Sequence, residues 1–351
     1  MTVTADTVQP VADDAPAAPR RFLDRVLRLR ALAVLGVLVV MLAATQIYNS
    51  QFLSQQGVKD LLLNATILVL VSIGQAVVVI TRNVDLSVGS VLGISAFAAG
   101  SYLHDGGNPL VAVLLAVALG VLFGALNGLL VSLGQVPALV VTLGTLYIIR
   151  GIDSIWVGSR QITAGDLPAG FTDFGHDGVW VVPYLALLTV VVLVAVGYYL
   201  RSYRGGRDMY ALGSSPEAAR LAGVPVRKRI LIAYVVCGAL AGLAGALYLA
   251  RFGNVDSGTG NGYELTVVSA VVVGGVAFTG GSGTVYGAAL GALLLTSINS
   301  VLPSIGVSSV WVLAIDGVLL LLAIAVDRIL ALRVAGVLRK RAAQMRSAHH
   351  A

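Results

Sequence analysis

Residues 61–80 read LLLNATILVLVSIGQAVVVI, a run with no charged side chain and only two amides, Asn64 and Gln75. A helix needs about 20 mostly apolar residues to cross the roughly 30 Å core of a bilayer. A barrel strand would alternate rather than run on without a break. The stretch therefore reads as the heart of a transmembrane helix near 60–80, and it has company. Comparable runs lie near 31–47, 88–103, 110–132 and 138–158, then near 180–200, 230–250, 264–278, 285–302 and 308–327. The expectation is an all-α polytopic membrane protein of about ten spans. The third run is short and carries Gly89, Gly93 and Gly100, which marks it as bent or incomplete.

Composition agrees. Of 351 residues 57% are hydrophobic and 11% charged, with a mean hydropathy of +0.90. Soluble domains carry about 25% charged residues, so a soluble enzyme, a nucleic-acid reader and a disordered chain are excluded. The lone cysteine, Cys237, sits in an apolar run and reads as a packed hydrophobe. His104, His176, His349 and His350 have no metal-ligand spacing with a second His, Cys or acid, so no metal site is expected. Walker A loops end in Lys followed by Ser or Thr. Here Lys59, Lys228 and Lys340 are followed by Asp60, Arg229 and Arg341, so this chain does not hydrolyse ATP by that route.

The net charge of +6 is explained by position. With the N-terminus inside, all 23 basic residues except Lys59, Arg150, Arg160 and Arg251 fall in cytoplasmic segments. With an even number of spans both termini are cytoplasmic, in the plasma or inner membrane, and no nucleic-acid partner is needed. Residues 1–19, polar with Asp6, Asp13 and Asp14, read as a disordered leader, and 20–30 as a basic amphipathic flank. The first span reads as uncleaved, because the leader is long and acidic for a signal peptide. Residues 31–327 form the membrane domain, with a long cytoplasmic loop at 201–229, and 328–351 a basic cytoplasmic tail.

Glycine recurs every four residues at Gly120, Gly124 and Gly128, at Gly238 and Gly242, and at Gly287 and Gly291. Small residues so spaced let helix backbones approach closely. Two glycine-bearing loops fall on the cytoplasmic side. One carries Asp85 and Ser87, which could cap the third span; the other carries Gly280, Gly281, Gly283 and Thr284. In the 201–229 loop Ser215 is a good N-cap, Pro216 a favoured first residue and Gly223 a C-terminal stop, so one short helix is expected there.

In that helix Glu217-Ala218-Ala219, with Gly223 four residues on, resembles the coupling loop of ABC importer permeases. The ribose-type branch of sugar permeases is resembled, in order, by Asp85-Leu86-Ser87-Val88-Gly89-Ser90, Asn127-Gly128, Pro137, Thr142-Leu143-Gly144-Thr145 with Arg150-Gly151, and Gly274-Gly275 before Gly280-Gly281-Ser282-Gly283-Thr284. The likeness covers roughly 31–330. Arg82-Asn83-Val84, Ala138-Leu139 and Asp316 depart from the family's usual residues.

The resemblance implies a type II importer permease fold. Two permease chains, identical or not, would line one pathway, and separate ATPase subunits would bind ATP and Mg. An extracytoplasmic binding protein would deliver a monosaccharide. Glu217, Ala218, Ala219 and Gly223 would transmit force, while Asp85, Ser87, Gly280, Gly281, Gly283 and Thr284 would lie against the same ATPase. A nucleoside, a furanose signal or a branched-chain amino acid remains open as the solute, and a secondary transporter as the class. Asn83-Val84-Asp85 after span two and Asn254-Val255-Asp256 after span seven suggest an inverted repeat of spans 2–5 and 7–10.

Ionisable groups at membrane depth are functional candidates. Arg150 and Asp316 each lie about 18 Å from the inner face, so an ion pair between them is expected, one that locks two helices together or forms part of a gate or pathway wall. Asn64, Gln75, Asn127 and Asn299 supply neutral hydrogen-bonding groups of the kind a sugar needs.

Overall fold

In a bilayer every backbone N–H and C=O must be satisfied within the protein, so the long apolar runs become helices. The computed structural model describes the backbone of residues 18–308 and of scattered positions between 311 and 325, with side chains from Leu32. Residues 1–17, Asp316 and the tail 328–351 lie outside the described residues, and so does most of the expected tenth span.

Helix α1 (Ala18–Tyr48) joins the basic flank 20–30 and the first span in one helix. Then come α2 (Gln55–Ile80), α3 (Val88–His104), α4 (Pro109–Ser132) and α5 (Ala138–Val157). An outer-loop region holds a 3-10 turn (Ala164–Asp166), α6 (Ala169–His176) and a hairpin of β1 (Gly178–Val179) with β2 (Val182–Pro183). It leads to α7 (Tyr184–Ser202), α8 (Arg204–Ser214), α9 (Pro216–Leu221), α10 (Val226–Phe252), α11 (Tyr263–Val273) and α12 (Val285–Ser304). Among the described residues six helices, α2, α4, α5, α7, α10 and α12, are long and apolar enough to cross a membrane. Three shorter apolar helices, Leu32–Tyr48, α3 and α11, stand beside them. These nine occupy the first nine expected spans.

Two expectations need correction. The eighth span, expected over 264–278, is an 11-residue helix, which rises only about 16 Å. It stops where Gly274-Gly275 follow, Gly275 at φ 87°, in backbone that a helix cannot continue. The sixth begins at Tyr184 rather than 180, because 180–183 are spent on the hairpin. The third span, by contrast, is one uninterrupted 17-residue helix, buried along most of its length.

At the centre α2 and α10 cross, with the Gly74 and Cys237 backbones so close that a Cβ on Gly74 would lie 2.9 Å from the Cys237 Cα. The glycine stripes do what their spacing suggested. A Cβ on Gly120 or Gly238 would overlap the other's carbonyl oxygen, and one on Gly124 would overlap that of Tyr234. Lipid tails are as apolar as leucine, so such close packing, rather than hydrophobic burial, is what joins helices here. The outward faces of α4, α5 and α7 stay apolar, with Leu114, Leu122, Ile148, Ile155, Val190 and Val191 exposed.

The paired tripeptides build the same turn twice. Asp85 Oδ1 accepts the Ser87 N–H (2.9 Å) and hydroxyl (2.6 Å) just before α3. Asp256 Oδ1 accepts the Gly258 N–H (2.9 Å) and the Thr259 hydroxyl (3.2 Å) just before α11. One turn follows α2 and the other follows α10, helices that run in opposite directions, and both loops turn inward so that Gly260 and Thr259 meet Gly89 and Gly93 of α3. Helices α3 and α4 pack on α10 as α11 and α12 pack on α2, the relation an inverted repeat requires.

Candidate functional site

Three places gather the polar groups that the sequence singles out. The first is the end of the bundle that carries α8 and α9. Helix α9 is capped by Ser215, whose hydroxyl accepts the Ala218 N–H, and it opens on Pro216. It closes through Gly223 at φ 76°, with Gly223 N–H donating to the Arg220 carbonyl (3.0 Å) and Val224 N–H to that of Ala219 (3.0 Å). Only Ala219 is turned inward; Glu217, Ala218 and Gly223 are exposed, and Leu221 is 90% exposed. A short, rigidly capped helix thus presents an apolar and an acidic side chain outward.

Helix α8, which the sequence did not announce, ties α9 to the bundle. Its Gly213 is packed so tightly that a Cβ would overlap the Ile80 carbonyl and the Gly281 N–H. Tyr210 donates to the Gly283 carbonyl (3.0 Å), and burial pushes its phenol up to about 12. Asp208 receives two N–H groups of Arg229 at the start of α10 (3.0 and 2.8 Å). Gly281 N–H donates to the Ile80 carbonyl (2.9 Å), so the two glycine-bearing loops meet each other and α8. Thr284 is exposed and caps α12 through Gly287 N–H (3.0 Å).

Asp85 and Ser87 depart from expectation. They are 1% and 0% exposed, so they offer no face to a partner. Their loop turns back into the bundle, where Asn127 donates to the Ser87 hydroxyl (2.8 Å) and Tyr234 to the Val84 carbonyl (3.1 Å). Gln75 donates to the Asp85 carbonyl (3.1 Å) and accepts its N–H (3.3 Å). Gln75 and Asn127, expected in a pathway, are both fully buried and hold this loop instead.

The second place is mid-bundle. Arg150 Nη1 donates to the Thr259 carbonyl (2.7 Å) and lies 3.7 Å from Asp153 Oδ2, one turn on in α5. The loop at 256–262 reaches this depth because Gly89 and Gly93 of α3 have no side chains: a Cβ on Gly93 would overlap the Thr259 carbonyl. The expected partner, Asp316, lies outside the described residues. Among those described, Asp153 is the acid within ion-pair distance of Arg150, and Glu264 at the start of α11 is close enough to act on its charge.

The third place is a cavity of about 370 Å³ at the end opposite α8 and α9. Asn64 of α2 and Asn299 of α12 share it with Asn261, Tyr263, Thr266 and Thr296, beside the ring of Phe252. Among the described residues, Asn299 Oδ1 is buried with no hydrogen-bond partner and no charged side chain lines the cavity. Nearby, Asp166 is held below the usual carboxylate range by the Thr163 N–H and hydroxyl, with His104 3.2 Å away.

Residues 57–324 match the family described as branched-chain amino acid transport system / permease component. The chain belongs to this permease family. It is 37% identical over 299 residues to the autoinducer 2 import system permease protein LsrC of Enterobacter sp. (strain 638), covering 85% of this chain and 84% of that protein. It is 35% identical over 297 residues to the ribose import permease protein RbsC of Escherichia coli (strain K12), covering 83% and 91%. No solved structure matches the chain.

Of the residues expected to matter, the permease brings Asn64 and Asn299 together and places Glu217 and Ala218 on an exposed helix that Gly223 closes. It also joins Gly281 and Gly283 to α8, and assigns Asp85, Ser87, Gln75 and Asn127 to one internal network. Sequence reading missed Asn261 and Tyr263, because Asn261 lies in the chain reversal before α11 and Tyr263 opens that helix one residue ahead of the expected eighth span. Their signal was Asn254-Val255-Asp256, which repeats the turn-forming tripeptide of the other half.

Proposed function

We propose that the permease is the membrane subunit of an ATP-driven ABC importer for a monosaccharide, a pentose or a hexose. The likeness over more than four fifths of the chain to ribose and autoinducer 2 import permeases carries this reading. ATP and Mg bind a separate ATPase subunit, and α9 is the element that docks on it. Two permease chains form the pathway, and a binding protein delivers solute at the opposite end. Arg201, Arg204, Arg207, Arg220, Arg227, Lys228 and Arg229 cluster at the α8–α9 end, which supports a cytoplasmic assignment for that end, with the polar cavity then on the outer half.

The cavity's chemistry favours a neutral polyol over an amino acid. A zwitterion leaves the water only where charged or strongly dipolar groups replace its hydration. Amides, hydroxyls and an aromatic face, the groups found here, suit sugar hydroxyls and C–H faces. The test is labelled ribose uptake by cells expressing the permease with its ATPase and binding protein, in a host lacking its own ribose importer. Uptake is expected to fall about tenfold in Asn64→Ala and Asn299→Ala, the scale of one or two hydrogen bonds. Uptake that survives loss of the ATPase and follows an ion gradient would overturn the reading.

A further inference from the structure

A cavity of about 630 Å³ lies between α4, α9 and the start of α10. Arg220 of α9 and Arg227 and Lys228 of α10 line it, with Ser132 and Gln135 at the end of α4. Among the described residues the ion pairs use Asp60, Asp153, Asp166 and Asp208, and none involves these three cations. The first turn of α10 adds N–H groups that no intrahelical carbonyl accepts, and the positive end of its dipole. The site is thus a cationic, donor-rich concavity with no acid among the described residues that line it.

The rest of its lining is of the opposite character: Val131, Val224, Val226 and Ile230. On the other side of the same last turns of α4, Leu129, Leu130 and Leu133 are 43%, 41% and 56% exposed, so a long molecule seated in the cavity reaches that apolar face around the end of the helix. A ligand that fits both parts carries a phosphate and long acyl chains. We propose that this cavity binds an anionic phospholipid, phosphate among Arg220, Arg227 and Lys228 and chains along α4. The bound lipid would link α4, α9 and α10, and so brace the exposed helix against the bundle. The proposal uses the cytoplasmic orientation above only to name the inner leaflet.

The test is native mass spectrometry of the delipidated full chain, titrated with phosphatidylglycerol and, in parallel, phosphatidylcholine. Wild type is expected to retain phosphatidylglycerol preferentially. Arg227→Gln with Lys228→Gln should weaken it about 30-fold, while Arg201→Gln with Arg204→Gln, which removes equal charge from the same end, should change it less than about twofold. Arg227→Lys with Lys228→Arg should retain binding, and thermal melts check that each variant is folded. Equal binding in the first variant, or equal loss in the second, would overturn the proposal. So would full displacement by inorganic phosphate, which marks a small-anion site, or expulsion of lipid when the ATPase assembles, which assigns the surface to that protein. None of these outcomes touches the transport reading, which does not depend on lipid.

Discussion

Single residues decide this molecule mostly by what they lack. At Gly238 the missing Cβ lets α10 rest on the backbone of α4, whereas Gly144 on the exposed face of α5 has nothing within 4 Å. Gly238→Ala is therefore expected to destabilise the detergent-solubilised protein by about 1–3 kcal/mol, the usual range for overpacking, and Gly144→Ala to leave its melting temperature unchanged. A thermal melt of both variants checks this. The glycine spacing was legible in the sequence because close approach leaves a four-residue period. The fate of Asp85 and Ser87 was not. A helix-capping pair after a span reads as a surface loop, and only the tertiary placement of Gln75, Asn127 and Tyr234 shows it turned inward.

At the scale of elements, the contrast between α9 and α8 is instructive. Helix α9 could be read directly, because Ser215, Pro216 and Gly223 are local start and stop signals. Helix α8 could not, since Gly205, Gly206 and Gly213 weaken any helical pattern and its burial comes from Ile80, Gly281 and Gly283, distant in sequence. Likewise the apolar run of 264–278 gave no hint that its helix stops halfway, since hydropathy does not register the left-handed backbone at Gly275. Gly223 holds α9 closed at φ 76° with open space around it, so Gly223→Val meets backbone strain rather than a clash. That strain is about 1–2 kcal/mol. Hydrogen exchange across 216–224 is expected to rise by about tenfold with the rest of the chain unchanged. Equal protection in the variant would show that the cap is not what orders α9.

The whole molecule has two ends of different character. At one, α9 projects Glu217 and Leu221 outward, while α8 rests on the 80–82 and 277–283 loops that border α2 and α12. At the other, α2 and α12 carry Asn64 and Asn299 into the polar cavity. Helices long enough to span the membrane therefore connect the proposed docking surface to the proposed solute-facing one, and a push on α8 would be expected to reach both walls of the cavity. The order of the first nine apolar helices and the pairing of the two Asn-Val-Asp turns were open to sequence reading, because hydropathy and the duplicated tripeptide survive in one dimension. The meeting of Asn261 with Asn64 was not, because it depends on the chain reversal after α10.

The most direct test of the central claim is co-purification of the ATPase subunit with the permease, wild type against Glu217→Arg with Leu221→Asp. Both side chains are exposed, so the variant is expected to fold and melt as wild type does. Wild type should retain the ATPase and the variant should lose it. An ATPase held equally by both, or by neither, would contradict the assignment of α9 as the element that couples this permease to ATP.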